Sequence, residues 1–340
     1  MYQATVVARG NQSGQLKREN RRRPPLDRQK YTKKEDTWMG GAADLRKRKV
    51  NLPSREDDVS ASVRMIYCPY TDRDIPVIES SPEHIIPLAL GGLNSFTLPV
   101  SAVFNSKVGT DIDGALANDF LVISQRDKHG VKGHSGKHPE YVSRSASNAV
   151  TGEPLQVTLG QRRGLRIWSP RQKHDVTGQG QKINLSFQMD LDVELRFVAK
   201  VALSAGYFFY GEAFRNHVKH QDFRTIMNHR PNEMGEAAKT IEARYDYRFR
   251  EPETDNDRIR RAMVTCFGAR SVVALIPNSS SFSVEIGILG SYLGMLSVPA
   301  DTRSLPNSED YRWGHFIALD RPTPIADSIW KLLHRMAKMG

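Results

Sequence analysis

The chain has 340 residues, 26 % charged and 39 % hydrophobic, enough for one large domain or two modest ones plus tails. No apolar run approaches the ~18 residues a membrane helix needs. The N-terminus lacks the apolar core of a secretory signal, so neither a membrane span nor export is expected. The only cysteines, Cys68 and Cys266, cannot build a disulfide framework and fit a reducing cytoplasm.

Net charge is +11, and residues 1–60 hold 15 Lys/Arg against 8 Asp/Glu. More than half the excess therefore lies on less than a fifth of the chain. A basic surface favours polyanions, because each neutralised phosphate releases condensed counterions. Arg21, Arg22, Arg23, Arg46, Lys47, Arg48 and Lys49 are the candidate phosphate contacts, and a merely solubilising tail is the plainer reading of the same residues. Glu19, Asp27, Glu35 and Asp36 interrupt what would otherwise resemble an Arg-rich mitochondrial leader.

In chain order, residues 1–60 read as a disordered basic arm with few aliphatics and no periodicity. Order is expected to begin near Val63, with a short strand through Tyr67. Ile75–Ile78 and His84–Pro87 read as two extended segments, and a helix follows from about Pro99 through Ile112, Leu116 and Phe120. From 126 to 190 the chain is rich in Gly, Ser, Lys and His, with β-like pieces at Leu155–Leu159 and Leu165–Trp168. The apolar stripe Val193, Phe197, Val201, Ala205 and Phe208 predicts a helix over 193–210, and a second helix runs through Phe223–Met227. Pro231–Asp257 reads as a linker. Ser271–Pro277, Phe282–Leu289 and Tyr292–Val298 predict an antiparallel meander, and Ile325–Met339 a terminal helix. No internal repeat is visible.

Chemistry concentrates between residues 83 and 109. Glu83-His84-Ile85-Ile86-Pro87, Gly91-Gly92 and Asn105-Ser106-Lys107-Val108-Gly109 together resemble the HNH endonuclease family, in the branch reading Glu-His-Ile-x-Pro, Gly-Gly, Asn-x-x-x-Gly. The resemblance covers about 55 residues, from near Tyr67 to Phe120. Phosphodiester hydrolysis needs an activated water, a sink for transition-state charge and help for the leaving oxygen. The resemblance implies a ββα-metal module in which His84 is the general base and Glu83 and Asn105 hold a divalent cation, Mg2+ or Mn2+. It also implies that Gly91-Gly92 lets the loop approach phosphate. Lys107 reads as a phosphate contact or as a solvated lysine. Adjacent residues on a strand face opposite ways, so the family's use of both Glu83 and His84 depends on the twist of its hairpin.

Two departures stand out. Relatives brace the motif with two Cys-x-x-Cys pairs, which here fall at Cys68 and Thr71 and at Ser101 and Phe104. Four thiolates make such a structural zinc site, so none is expected, and packing by Tyr67, Tyr70, Val103 and Phe104 would replace it. The middle motif position, often an Asn that orients the His, falls at either Asn94 or Thr97.

Elsewhere, His129, His134 and His138 read as a second metal site, as phosphate contacts or as a flexible basic loop. The last is the expectation, with phosphate contact as a secondary role. His217 and His220, three apart, could share a helix face as metal ligands do, but no carboxylate or third His accompanies them at a telling spacing, and core or surface histidines are the expectation. Gln161-Arg162-Arg163-Gly164 with Arg166 and Trp168 suits nucleic acid or an ordinary strand edge. Lys200, inside the apolar helix, reads either as a residue approaching a site or, as the default, as one that snorkels to solvent.

The expected fold class is α+β: a basic arm (1–60), a ββα nuclease module (61–125), a basic Gly/His-rich stretch with short strands (126–190) and a helix-plus-meander C-terminal domain (191–340). The expected activity is metal-dependent endonuclease action on DNA, with RNA as the other candidate partner and no membrane. The alternative is an HNH scaffold that binds nucleic acid without turnover. Gating of a nuclease by the C-terminal domain is a third reading, and no nucleotide-binding loop supports gating by a nucleotide.

Overall fold

The computed structural model describes residues 2–8, 64–160, 164–177, 182–229, 241–245, 253–306, 308, 311–320 and 322–338. The architecture is mixed α and β, as the sequence predicts. No helix among the described residues is long and apolar enough to cross a membrane.

Strand β1 (Tyr2–Ala8) pairs antiparallel with a strand almost two hundred residues later. The arm therefore does not begin as disorder. Tyr2-Gln3-Ala4-Thr5-Val6-Val7-Ala8 carries no charge and is rich in β-branched residues, which suits a strand. The basic clusters at 21–23 and 46–49 lie outside the described residues.

β2 (Met65–Cys68) and β3 (Arg73–Pro76) form one hairpin, and β4 (Ser80–His84) and β5 (Thr97–Ser101) a second. A single 3-10 turn, Val77–Glu79, joins them. Pro99 does not open the helix. It sits in β5 opposite Pro82, where a two-stranded ribbon tolerates missing backbone donors. Helix α1 (Ala102–Val108) starts three residues later, widens into a π-turn over Gly109–Gly114 and closes as the short α2 (Ala115–Ala117). Phe120 opens a separate helix, α3 (Phe120–Lys128), because Asp119 accepts from the Leu121 and Val122 amides as its N-cap. The boundary expected at residue 125 thus falls inside a helix.

The stretch read as a basic Gly/His-rich segment with short strands builds a sheet, and the β-like pieces at 155–159 and 165–168 fall on two of its strands. β6 (Glu140–Asn148), β7 (Pro154–Gly160), β8 (Leu165–Ser169), β9 (His174–Asp175) and β10 (Ile183–Met189) run in the order β1-β10-β6-β7-β8-β9. Ala146, Leu155, Val157, Ile167, Val176, Ile183 and Leu185 form its own small core, with Phe120 packed against it.

Helix α4 (Leu191–Tyr210), capped by Asp190, is the axis of the rest. From Val193 to Gly206 it is buried on nearly every side, the signature of a helix enclosed by core. Helices α5 (Glu212–His217) and α6 (Gln221–Asn228) pack beside it. β11 (Glu242–Tyr245) lies within the segment read as linker, and α7 (Asp255–Thr265), started by its Thr254 cap, begins at the end of that segment. β12 (Val272–Pro277), β13 (Ser281–Ile288) and β14 (Ser291–Pro299) form the expected meander. β15 (His315–Leu319) and β16 (Pro324–Ser328) complete a second six-stranded sheet, in the order β11-β14-β13-β12-β15-β16. The terminal helix is shorter than expected: α8 (Ile329–Ala337) begins only after Ser328, its N-cap.

Strand periodicity divides this second sheet between two layers. Val273, Leu275, Val284, Ile286, Leu296 and Val298 join the core around α4, whereas Val272, Ala274 and Met295 face α7 and α8. The α4 core also takes in Cys68, Tyr70, Ile85, Ile86, Leu90, Phe96, Val108, Ile112 and Leu116. The motif and the C-terminal sheet therefore clamp the same helix from opposite sides.

Candidate active site

The site begins where β4 ends. In register Glu83 faces Leu98 and His84 faces Thr97, and the pleat sends the two motif side chains to opposite sides. Glu83 turns inward, 5 % exposed, while His84 is half-buried. After His84 the chain leaves the strand, and Ile85 and Ile86 enter the core completely. Gly91 caps a 3-10 turn at φ +80, and a Cβ on Gly92 would lie 1.7 Å from the Ile86 carbonyl oxygen. The Gly-Gly pair thus lets the loop close on its own backbone. Ser271 Oγ donates to Leu90 O at 2.5 Å, tying this loop to the C-terminal half.

The loop delivers Asn94 to His84: Nε2 and Asn94 Oδ1 are 3.0 Å apart. Asn94, and not Thr97, is therefore the side chain that holds the ring. On α1, Asn105 Nδ2 donates to Ser81 Oγ at 2.9 Å and to Pro82 O at 3.2 Å, so Oδ1 is its atom with lone pairs to offer a cation. Lys107, in the last turn of α1, is exposed.

Beneath β4 lies a buried charge cluster that centres on Lys200. Its side chain is 0 % exposed, contrary to the expected snorkelling, because acceptors surround its ammonium. Nζ lies 2.5 Å from Glu83 Oε1 and 3.1 Å from Asp113 Oδ2, and donates to His84 O at 2.8 Å and Ile85 O at 3.3 Å. Burial works against the ammonium, but Asp113 and Glu83 outweigh it and hold Lys200 above its ordinary pKa. Asp113 is pushed up to about 6, chiefly by burial and against the pull of Lys200. The Tyr70 hydroxyl donates to Glu83 Oε1 at 3.4 Å, and burial with the neighbouring Glu83 and Asp113 carboxylates raises its pKa.

A second histidine joins the surface side. The ring of His134 stands edge-on to that of His84, centroids 5.6 Å apart. Its loop is anchored: Val131 N bonds to Arg126 O, Val131 packs on the main core, and Gly133 approaches the Ala89 methyl. This loop is docked where a flexible one was expected. His129 and His138 do not join it at His84, and the His129 pKa is lowered by burial and by Lys128.

Side-chain contacts from α6 hold the first hairpin. Arg224 Nη1 donates to Pro69 O at 3.0 Å, and Nη2 lies 2.8 Å from Asp72 Oδ2 and 2.5 Å from His220 Nδ1. His220 Nε2 donates to Arg215 O while Nδ1 accepts from Arg224, so the ring is neutral, and burial lowers its pKa. Cys68 Sγ accepts from Ser101 N at 3.3 Å. Tyr67 and Tyr70 are buried as expected, but Val103 is 80 % exposed and contributes nothing to this packing. Arg224 had no signal in the motif. His217 lies on α5 and His220 beyond its end, so they share no helix face. Arg166 pairs with Asp175, and residues 161–163 lie outside the described residues.

The donor set fits a divalent cation in part. Asn105 offers an amide oxygen, and Glu83 a carboxylate of which one oxygen is already committed to Lys200. Among the described residues no group of three or more His, Cys, Asp or Glu converges for a metal. A site with two protein ligands completed by water and phosphate does not require one. No protein-family model, curated protein or solved structure matches this chain.

Proposed function

We propose that this chain is a metal-dependent endonuclease of the HNH type that hydrolyses phosphodiester bonds in DNA, with His84 as general base and the cytoplasm as its setting. The observation that carries the reading is the His84–Asn94 hydrogen bond. An amide oxygen only accepts, so Nε2 holds the ring proton and Nδ1 the basic lone pair. An imidazole held in one tautomer at the end of a hairpin takes a proton from the attacking water at Nδ1. The water oxygen bonds to phosphorus as the bond to the leaving oxygen breaks, and solvent protonates the leaving group. Asn105 through Oδ1 and Glu83 through the oxygen not taken by Lys200 would hold Mg2+ or Mn2+. That ion supplies charge neutralisation on the phosphate and leaving oxygens. Lys107 and the Arg/Lys clusters at 21–23 and 46–49 would engage the DNA backbone.

The alternative, an HNH scaffold that binds nucleic acid without turnover, draws on the ion pair that already neutralises Glu83. Purified protein and His84→Ala would be incubated with supercoiled plasmid in Mg2+, Mn2+ or EDTA. The proposal expects nicked or linear product that needs the metal and is absent in the variant, with gel-shift binding kept. Plasmid that is shifted but uncut in both metals would sink the nuclease and leave the scaffold.

A further inference from the structure

A buried lysine is an expensive way to fill a core. Replacing buried ionic groups by apolar ones of similar size is often neutral or stabilising, and Phe197, Val198, Ala199, Val201, Ala202 and Leu203 around this position are buried and apolar. Packing alone therefore does not explain Lys200. Its contacts do. Nζ has three protons, and besides Glu83 and Asp113 it reaches the two consecutive carbonyls of His84 and Ile85. These are the carbonyls of the residues where β4 ends and the chain turns into the core. Asn94 grips the tip of the His84 ring, so Lys200 would grip the other end of the same residue.

We infer that Lys200 is a positioning residue: from α4, 116 residues beyond the motif, its ammonium fixes the His84–Ile85 backbone and so aims the imidazole of His84 at Asn94. The inference rests on the reading of His84 as the general base. Glu83 and Asp113 hold the ammonium in place, and the two carbonyls receive its remaining donor capacity. The C-terminal half thereby contributes directly to the geometry of the motif.

The test reads the ring by itself. In protein labelled with 15N-histidine and kept in EDTA, His84 of the wild type is expected as a single Nε2–H tautomer. The double variant Glu83→Gln/Lys200→Met removes the ammonium and one carboxylate together, so net charge is unchanged and Asp113 is the one carboxylate of the cluster left without the ammonium. It is expected to show mixed tautomers at His84, whereas Glu83→Gln alone keeps the wild-type spectrum. In Lys200→Met, plasmid turnover is expected to fall about 100-fold, the scale of a misplaced reacting group, with KM unchanged. A folded double variant whose His84 spectrum matches the wild type would overturn the inference, whatever Lys200→Met does to folding. A wild type that cuts nothing would count against the nuclease, while the nitrogen spectrum still decides the positioning.

Discussion

Asp113 sets one carboxylate oxygen on the Lys200 ammonium and leaves the other buried without a hydrogen-bond partner. Burial raises its pKa from 3.8 to about 6. A group whose folded pKa lies above its unfolded value stabilises the fold fully below the unfolded value, and that contribution is lost as pH rises through the folded one. The Asp113 contribution should therefore be present near pH 4 and gone above about pH 6. Asp113→Asn titrates nowhere, so denaturant titrations at several pH values should show wild-type stability falling relative to the variant across that window. Parallel curves would refute the assignment. At this scale the sequence was partly legible. Glu-His with a downstream Asn marks itself by spacing, and Asn94 was one of two candidates for the residue that holds His84. Lys200 was hidden, because a lysine in an apolar helix ordinarily carries its charge to solvent, and only tertiary structure shows that two carboxylates and two carbonyls meet it instead.

Among the elements, α6 braces the β2–β3 hairpin. Arg224 spans from the helix to the turn between β2 and β3, holding Pro69 O and Asp72 while bonding His220 on its own side. Arg224→Met would leave that carbonyl and the His220 nitrogen without their donor, a loss of about 2–4 kcal/mol. Denaturant midpoints should register it, and a change within about 0.5 kcal/mol, ordinary for a surface substitution, would contradict the staple. Elements whose apolar residues recur regularly were legible: α4, α6 and the β12–β14 meander follow the periodicities of helix and strand. The β6–β10 sheet was legible only in part: β7 and β8 contain the β-like pieces read at 155–159 and 165–168, whereas β6, with Ser143, Ser145 and Ser147 along it, has no sustained apolar run. The π-turn at Gly109–Gly114 was invisible too, because one wide turn leaves the helical pattern nearly intact.

Across the whole molecule the motif does not own its core. Ile85, Ile86, Phe96 and Leu116 share one hydrophobic cluster with Phe197, Val201, Leu275 and Leu289, and Ser271 ties the Gly-Gly loop to the second sheet. Residues 64–128 made alone would expose that surface and lose Lys200. The fragment should lack a cooperative melt and a dispersed amide spectrum. A folded fragment would show the module to be autonomous. The sequence divides the chain by composition, and composition does not report which apolar faces meet, so this sharing could not be read from it.

The role proposed for His84, removing a proton from the attacking water, is open to plasmid nicking by His84→Gly in Mg2+, with and without added imidazole. No cutting by the variant alone is expected, and a rate that climbs with imidazole concentration, as the free base occupies the vacated space. His84→Gly that cuts unaided at the wild-type rate would contradict it.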